Sequence, residues 1–274
     1  DCFSQIYLTQ WKKQKKKYFF FDIDGTLTDR NPGGEIPAST HEALRKLREN
    51  GHFVAIATGR SENMAHQFAK LCQIDNMVHD GGNGLSVNGK IVYIKPLDSI
   101  KAWKVVKECQ VKKIPYCISI NNSPNRYSDN DDIAKANPDM ELFSSFHVLP
   151  IVDETTIPEI HKIFIGLYPG QEDQLESRGE LGYSRYHDNH IIIEPDDKVQ
   201  GIKDMMAYLQ ADYEDVVVFG DGHNDLTMMR SAPIAIAMGN AIDEVKEAAT
   251  FVTKRSDEDG IYYACRYFGW IDDN

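Results

Sequence analysis

The apolar positions fall into short continuous runs. Tyr18 to Ile23 is one such run, broken at Gly25, and His52 to Ala57, Met77-Val78, Asp215 to Phe219, Pro233 to Met238 and Phe251-Val252 have the same character. Runs of this kind suit strands buried on both faces, as in a parallel sheet. Between them the period changes to that of a helix. Ser39-Thr40-His41-Glu42 reads as a capping box ahead of Leu44 and Leu47, with Gly51 as the stop. Ser61 to Leu71, Lys198 to Leu209, Asn224 to Arg230, Asp243 to Ala249 and Ile261 to Phe268 read as further helices. Alternation of strand and helix at both ends of the chain predicts an α/β fold with a doubly wound parallel-sheet core.

The middle of the chain breaks that rhythm. Leu85 to Val87, the Asn88-Gly89 turn and Ile91 to Ile94 read as a hairpin. A helix over Ser99 to Lys112 and a strand over Tyr116 to Ile120 follow. Next come a polar loop with Asn121, Asn122, Arg126 and Asp129 to Asp132, a strand over Lys162 to Leu167, and a charged stretch through Gly182. This predicts a tail over 1–17, a core domain over 18–82 and 190–274, and an inserted α+β module over 83–189. Asn121, Asn122, Arg126 and Tyr186 read as loop surface, although each has chemistry suited to touching a sugar. His187 and His190, three apart in a strand, would face opposite ways and so are not read as metal ligands. Trp11, Trp103 and Trp270 read as packing or surface residues.

Composition narrows the function. Hydrophobic residues at 42% and charged residues at 26% exclude disorder over most of the chain. No apolar stretch approaches the ~18 residues of a spanning helix. The 42 acidic against 30 basic residues give a net charge of −12, which opposes nucleic acid and anionic membrane surfaces. Lys12 to Lys17 reads as a solvated tail, not as a signal sequence. The cysteines (Cys2, Cys72, Cys109, Cys117, Cys265) are scattered and odd in number, so reduced, buried thiols and a cytoplasmic location are expected.

Two acidic pairs carry the chemistry. Asp22 and Asp24 end the first strand, and residues two apart in extended chain point to the same side. They lie at the carboxyl edge of the sheet, where open α/β folds bind ligands. Like charges so placed repel, and a divalent cation relieves that repulsion. Oxygen-only donors suit Mg2+ before Zn2+. Asp221 ends another strand, and Asp225 follows in the first turn of the next helix. Thr58 and Gly59 close the second strand before a helix, a combination of hydroxyl, free amides and dipole that seats an anion. Lys198 opens a helix, where its charge opposes the dipole unless a phosphate site claims it; Lys203, one turn on, is the alternative. These parts match phosphoryl transfer through a carboxylate nucleophile.

Phe21-Asp22-Ile23-Asp24-Gly25-Thr26-Leu27, Thr58-Gly59-Arg60, Lys198 and Gly220-Asp221-Gly222-His223-Asn224-Asp225 resemble the four motifs of the haloacid dehalogenase (HAD) superfamily of phosphohydrolases, in order along the whole chain. Asn83-Gly84, Met238-Gly239-Asn240-Ala241 and Glu258-Asp259-Gly260 are similar to the Cof-type branch, subfamily IIB, whose α/β cap is of the C2B kind. One departure is the third motif, where Lys198-Val199-Gln200-Gly201 stands in place of Lys followed at once by Gly. The resemblance implies that Asp22 attacks phosphorus and that Asp24 serves as acid, then base. It implies Mg2+ held by Asp22, the Asp24 carbonyl and Asp221, with Asp225 as a ligand or behind one. It also implies phosphate contacts from Thr58, Gly59, Lys198 and Asn224, with His223 inside the fourth motif at the pocket or in a variable loop. Asn83 is a candidate contact at the cap hinge. The expected activity is Mg2+-dependent hydrolysis of a small phosphomonoester: a sugar phosphate, nucleotide or cofactor phosphate. A phosphomutase and a non-catalytic metal- or phosphate-binding protein are the alternatives.

Overall fold

The computed structural model describes residues 15–137 and 145–272; Cys2, Trp11 and most of the expected tail lie outside the described residues. The chain opens with β1 (Tyr18–Phe21), α1 (Ala38–Glu49), β2 (Phe53–Ala57), α2 (Glu62–Cys72) and β3 (Met77–His79), then the hairpin β4 (Gly84–Val87) and β5 (Lys90–Ile94). It continues through α3 (Ser99–Lys112), β6 (Tyr116–Ser119), β7 (Asn125–Ser128), α4 (Asp132–Ala136), β8 (Ser145–Val148), β9 (Lys162–Ile165), β10 (Ser184–His187) and β11 (His190–Ile193). It closes with α5 (Lys198–Tyr208), β12 (Val216–Gly220), α6 (Leu226–Ser231), β13 (Ile234–Ala237), α7 (Asp243–Ala248), β14 (Phe251–Val252) and α8 (Gly260–Tyr267).

These strands form an eight-stranded sheet, ordered β14-β13-β12-β1-β2-β3-β4-β5, and a six-stranded sheet, ordered β10-β11-β9-β6-β7-β8. In the first, the strands from β14 to β3 run parallel, and the β4–β5 hairpin adds antiparallel to β3. The run Tyr18-Phe19-Phe20-Phe21 shows why this sheet needs helices on both sides. Phe19 and Phe21 pack with α1, α2 and α8, and Phe20 packs with α5, α6 and α7. The second sheet buries Tyr116, Ile118, Ile163, Ile165, Ile191 and Ile193 against α3, while Cys117, Phe164 and Ile192 face the other way.

Several expectations are corrected. The 84–94 hairpin, expected in the inserted module, belongs to the first sheet, and His190–Ile193, expected in the core, belongs to the second. Each follows its hydrogen-bonded partner: β4 pairs with β3, and β11 with β9 and β10. The chain therefore passes between the sheets around Lys95-Pro96 and Pro195-Asp196. Helix α1 starts at Ala38 behind Pro37, so Ser39 lies inside the helix with its hydroxyl buried and unpartnered, and no capping box forms. Proline suits this position because its fixed φ and missing N–H match a helix start. His187 and His190 form a cross-strand pair around the Asp188-Asn189 turn, with rings 5.2 Å apart, because a hairpin turn intervenes where one strand was expected. Arg126 lies in a strand, not a surface loop. Lys15 and Lys17, read as solvated, both pair with Asp215. Cys72, Cys109, Cys117 and Cys265 are buried and in no disulfide, and Trp103 and Trp270 are core. No described helix is long and apolar enough to cross a membrane.

Candidate active site

Strands β1 and β12 run side by side in register, Phe21 opposite Phe219, with the two rings stacked at 4.9 Å. The chain therefore delivers Asp22 and Asp221 to the same edge of the sheet, and the Asp22 amide donates to the Phe219 carbonyl at 3.0 Å. Gly25, at φ +74°, lets the first loop pass against Asp221; a Cβ there would overlap the Asp221 carboxylate. Oxygens of Asp22, Asp221 and Asp225 lie within 4.8 Å of one another, all buried.

Lys198 ties this cluster together. It is 0% exposed, and its Nζ donates to Asp22 Oδ1 at 2.7 Å and Asp225 Oδ1 at 2.6 Å. Lys203, its rival in the sequence, lies 5.7 Å from the Tyr213 ring instead. Asp225 Oδ2 accepts from the Asp221 and Gly222 amides at 2.9 and 3.0 Å, so Asp225 braces the loop that carries Asp221. Asp221 Oδ1 is buried with no partner, while its Oδ2 takes only a 3.5 Å contact from Asn31.

Three carboxylates against one ammonium leave a buried excess of negative charge. Burial, then the Asp225 charge, pushes Asp22 well above the usual carboxylate range, although Lys198 opposes this. The same two causes raise Asp221 to about 7. Burial works against the charge on Lys198, but Asp22 and Asp225 more than offset it and raise its pKa. The donor set fits a hard divalent cation: all oxygen, over-rich in negative charge, with one buried carboxylate oxygen unclaimed.

Asp24 is placed differently. Its carboxylate is gripped by Arg60, with Nε to Oδ2 at 2.8 Å and Nη2 to Oδ1 at 2.7 Å, and it accepts from the Gly33 amide at 2.7 Å. Burial would raise its pKa, but Arg60 and the Gly33 amide outweigh this and hold it below the ordinary value. Its side chain is therefore absent from the carboxylate cluster. Arg60 is the residue that sequence reasoning passed over; it was spelled in the Thr58-Gly59-Arg60 motif but carried no assigned role.

Thr58 is buried at the end of β2, its Oγ1 accepting from the Arg60 amide at 3.1 Å. The Gly59 amide has no partner among the described residues, and a Cβ on Gly59 would stand 3.5 Å from Asn224 Nδ2. Thr58, Gly59 and Asn224 thus converge, while His223 is exposed. Asn83 donates to the carbonyls of Lys95 and Pro96, where the chain leaves the first sheet. Lys162, from the second sheet, donates to the Gly59 carbonyl at 2.7 Å and pairs with Glu194 at 2.8 Å. Nothing in the spacing of the sequence pointed to Lys162.

Comparison with known proteins agrees with this geometry. The family model for haloacid dehalogenase-like hydrolases matches residues 19–265. The candidate phosphatase YkrA of Bacillus subtilis (strain 168) is 32% identical over 93% of this chain and 98% of its own. A solved structure of a hypothetical protein from Geobacillus kaustophilus HTA426 superposes with a TM-score of 0.82 at 32% identity, covering 94% of this chain and 100% of that one. The HAD subclass IIB sugar phosphatase BT4131 superposes with a TM-score of 0.77 at 28% identity, covering 93% and 100%. The chain belongs to the haloacid dehalogenase-like hydrolase family and is one of its phosphatases.

Proposed function

We propose that the protein is a cytoplasmic, Mg2+-dependent phosphatase that hydrolyses a small phosphomonoester through an aspartyl-phosphate on Asp22. The observation that carries this reading is the fully buried Lys198, bonded to both Asp22 and Asp225 beside the unclaimed oxygen of Asp221. Lys198 holds Asp22 Oδ1 and leaves Oδ2 to attack phosphorus. Asp22 and Asp221 would hold the ion, with the Asp24 carbonyl that the family resemblance adds, and Asp225 fixes the loop behind them. Bound there, Mg2+ supplies the positive charge that lets a carboxylate approach a phosphate. The Thr58 hydroxyl, the Gly59 amide, Asn224 and Lys198 hold the phosphoryl oxygens as charge develops on them.

Asp24 handles the proton. Arg60 keeps it ionised, so the proton it gives to the leaving oxygen comes from the substrate, whose phosphate second ionisation lies near pH ~6. Donation forms the alcohol as the P–O bond breaks and returns Asp24 to the base form. Asp24 then takes a proton from the water that attacks the phosphorylated Asp22, inorganic phosphate leaves, and Asp24 gives that proton up to solvent, which restores the ionised form that Arg60 favours. The second sheet closes over this site and excludes bulk water. A sugar phosphate is the substrate class favoured by the likeness to BT4131.

The test is hydrolysis of p-nitrophenyl phosphate with Mg2+ and with chelator, in the unmodified protein and in Asp22→Asn. Release of inorganic phosphate that stops in both controls is expected. Metal-independent turnover, or full activity in Asp22→Asn, would defeat the mechanism. Accumulation of an isomeric sugar phosphate would indicate a mutase instead. Failure of beryllofluoride to form an adduct at Asp22 would indicate a non-catalytic binder.

A further inference from the structure

The face of the second sheet opposite α3 carries a row of polar side chains. Ser119 is in register with Arg126 on one side and Lys162 on the other, so all three project from the same face. Lys162 reaches the first domain and bonds the Gly59 carbonyl, placing this row beside the phosphate seat. Ser61 and Met64, at the start of α2, complete a cleft with Ser119, Arg126, Lys162 and Phe164.

The two cations in the row differ. Lys162 is neutralised by Glu194 at 2.8 Å. Arg126 has no carboxylate partner among the described residues. Its guanidinium lies 3.9 Å from the centroid of the Phe164 ring, which fixes its plane without satisfying its N–H donors. Burial lowers its pKa, and no carboxylate is near enough to oppose this. In a chain of net charge −12, an unmatched and partly buried guanidinium is an exception that calls for a partner.

We propose that Arg126 receives a carboxylate on the substrate, at the end away from the transferred phosphate. This deepens the phosphatase reading and rests on it. The cleft holds about 40 Å³ of space open to water. At roughly 10–15 Å³ per water, that is room for about three heavy atoms, the size of a carboxylate such as a phosphorylated sugar acid carries. Arginine suits this partner because its planar fork matches a carboxylate in bidentate geometry.

The experiment compares 3-phosphoglycerate with glycerol 3-phosphate, which share a carbon skeleton and differ in a carboxylate against a hydroxymethyl group. The unmodified protein is expected to favour 3-phosphoglycerate in kcat/KM. Arg126→Gln is expected to cut that preference about tenfold, through KM, since a charge-assisted bidentate contact is lost. Arg126→Lys should restore it only in part. A folding defect lowers both substrates together and leaves the ratio intact. A ratio unchanged by Arg126→Gln, or no preference in the unmodified protein, overturns the proposal. Hydrolysis of p-nitrophenyl phosphate is the control, and its absence in the unmodified protein overturns the phosphatase reading beneath it.

Discussion

A lysine with no exposed surface must be matched in charge, and Lys198 is matched twice, by Asp22 and Asp225. Replacing it by methionine keeps the volume and leaves two buried carboxylates uncompensated. Breaking a buried pair in this way costs about 3–5 kcal/mol. In a chain of this size that lowers the melting temperature by about 10 °C. The sign with pH follows from Asp22, whose folded pKa is already raised and rises further without Lys198. The penalty belongs to the ionised form, so it is largest at pH 8 and shrinks toward pH 5.5 as Asp22 takes up a proton. Calorimetry of Lys198→Met at both values checks this, and a loss independent of pH would mean that packing, not charge, is at stake. Arg60 allows a second prediction. Arg60→Gln frees Asp24, whose pKa then climbs toward its ordinary value, since the guanidinium is gone while burial still raises it. The acidic limb of the kcat–pH profile should move up with it; an unmoved limb would separate Asp24 from the rate-limiting proton transfer. Asp22, Asp221 and Lys198 were legible in the sequence because each borders an apolar run or opens a helix. Arg60 was not, because its partner Asp24 lies on a different strand end, and only the sheet brings them together.

At the scale of elements, the displaced glycine of the third motif finds its reason in packing. Gly201 lies one helical turn beyond Lys198 in α5, and a Cβ there would overlap Val78 Cγ1 and come within 2.9 Å of Gly82 Cα. The helix therefore sits hard against β3 and the turn after it, which places Lys198 at the sheet edge. Gly201→Ala gains about 1 kcal/mol of helix propensity. It meets an overpacking cost of about 1–3 kcal/mol and pushes the helix away from the turn. The expected outcome is a lower melting temperature together with reduced kcat, and a stabilised variant would remove Gly201 from this role. The same scale explains what the sequence left ambiguous. The hairpin at 84–94 reads from its Asn88-Gly89 turn, and the segment around His190 reads as strand. Which sheet each joins depends on pairing with β3 and β9, a long-range choice that leaves no local mark. Ser39 shows the opposite failure, a local capping signal overridden by Pro37 just upstream.

Across the whole molecule, two sheets are held over one another by a few polar clasps. Asn122 takes the Asn63 amide at 2.7 Å and gives a bond to Glu62 at 2.6 Å, while Lys162 reaches Gly59. Beneath them lies a cluster whose charge the rest of the fold does not balance, so global stability should report the state of the site. Asp22 and Asp221 have raised pKa values in the folded protein, Asp221 at about 7. Groups raised in this way contribute stability that is full below the ordinary carboxylate value and is lost as pH rises through the folded value. Metal-free protein should therefore weaken between pH 5.5 and pH 8. Mg2+ competes with those protons, so its stabilising effect should grow over the same interval. At a hundredfold excess over Kd it is worth ~2.7 kcal/mol, several degrees of melting temperature at pH 8, and far less at pH 5.5. Asp221→Asn removes both the unclaimed charge and the ligand, so it should melt higher than the unmodified protein at pH 8 without metal and gain little from Mg2+. Scanning calorimetry at the two pH values, with and without Mg2+, reads all four states. An equal gain from Mg2+ at both pH values, or a gain that survives Asp221→Asn, would place the ion somewhere other than between Asp22 and Asp221.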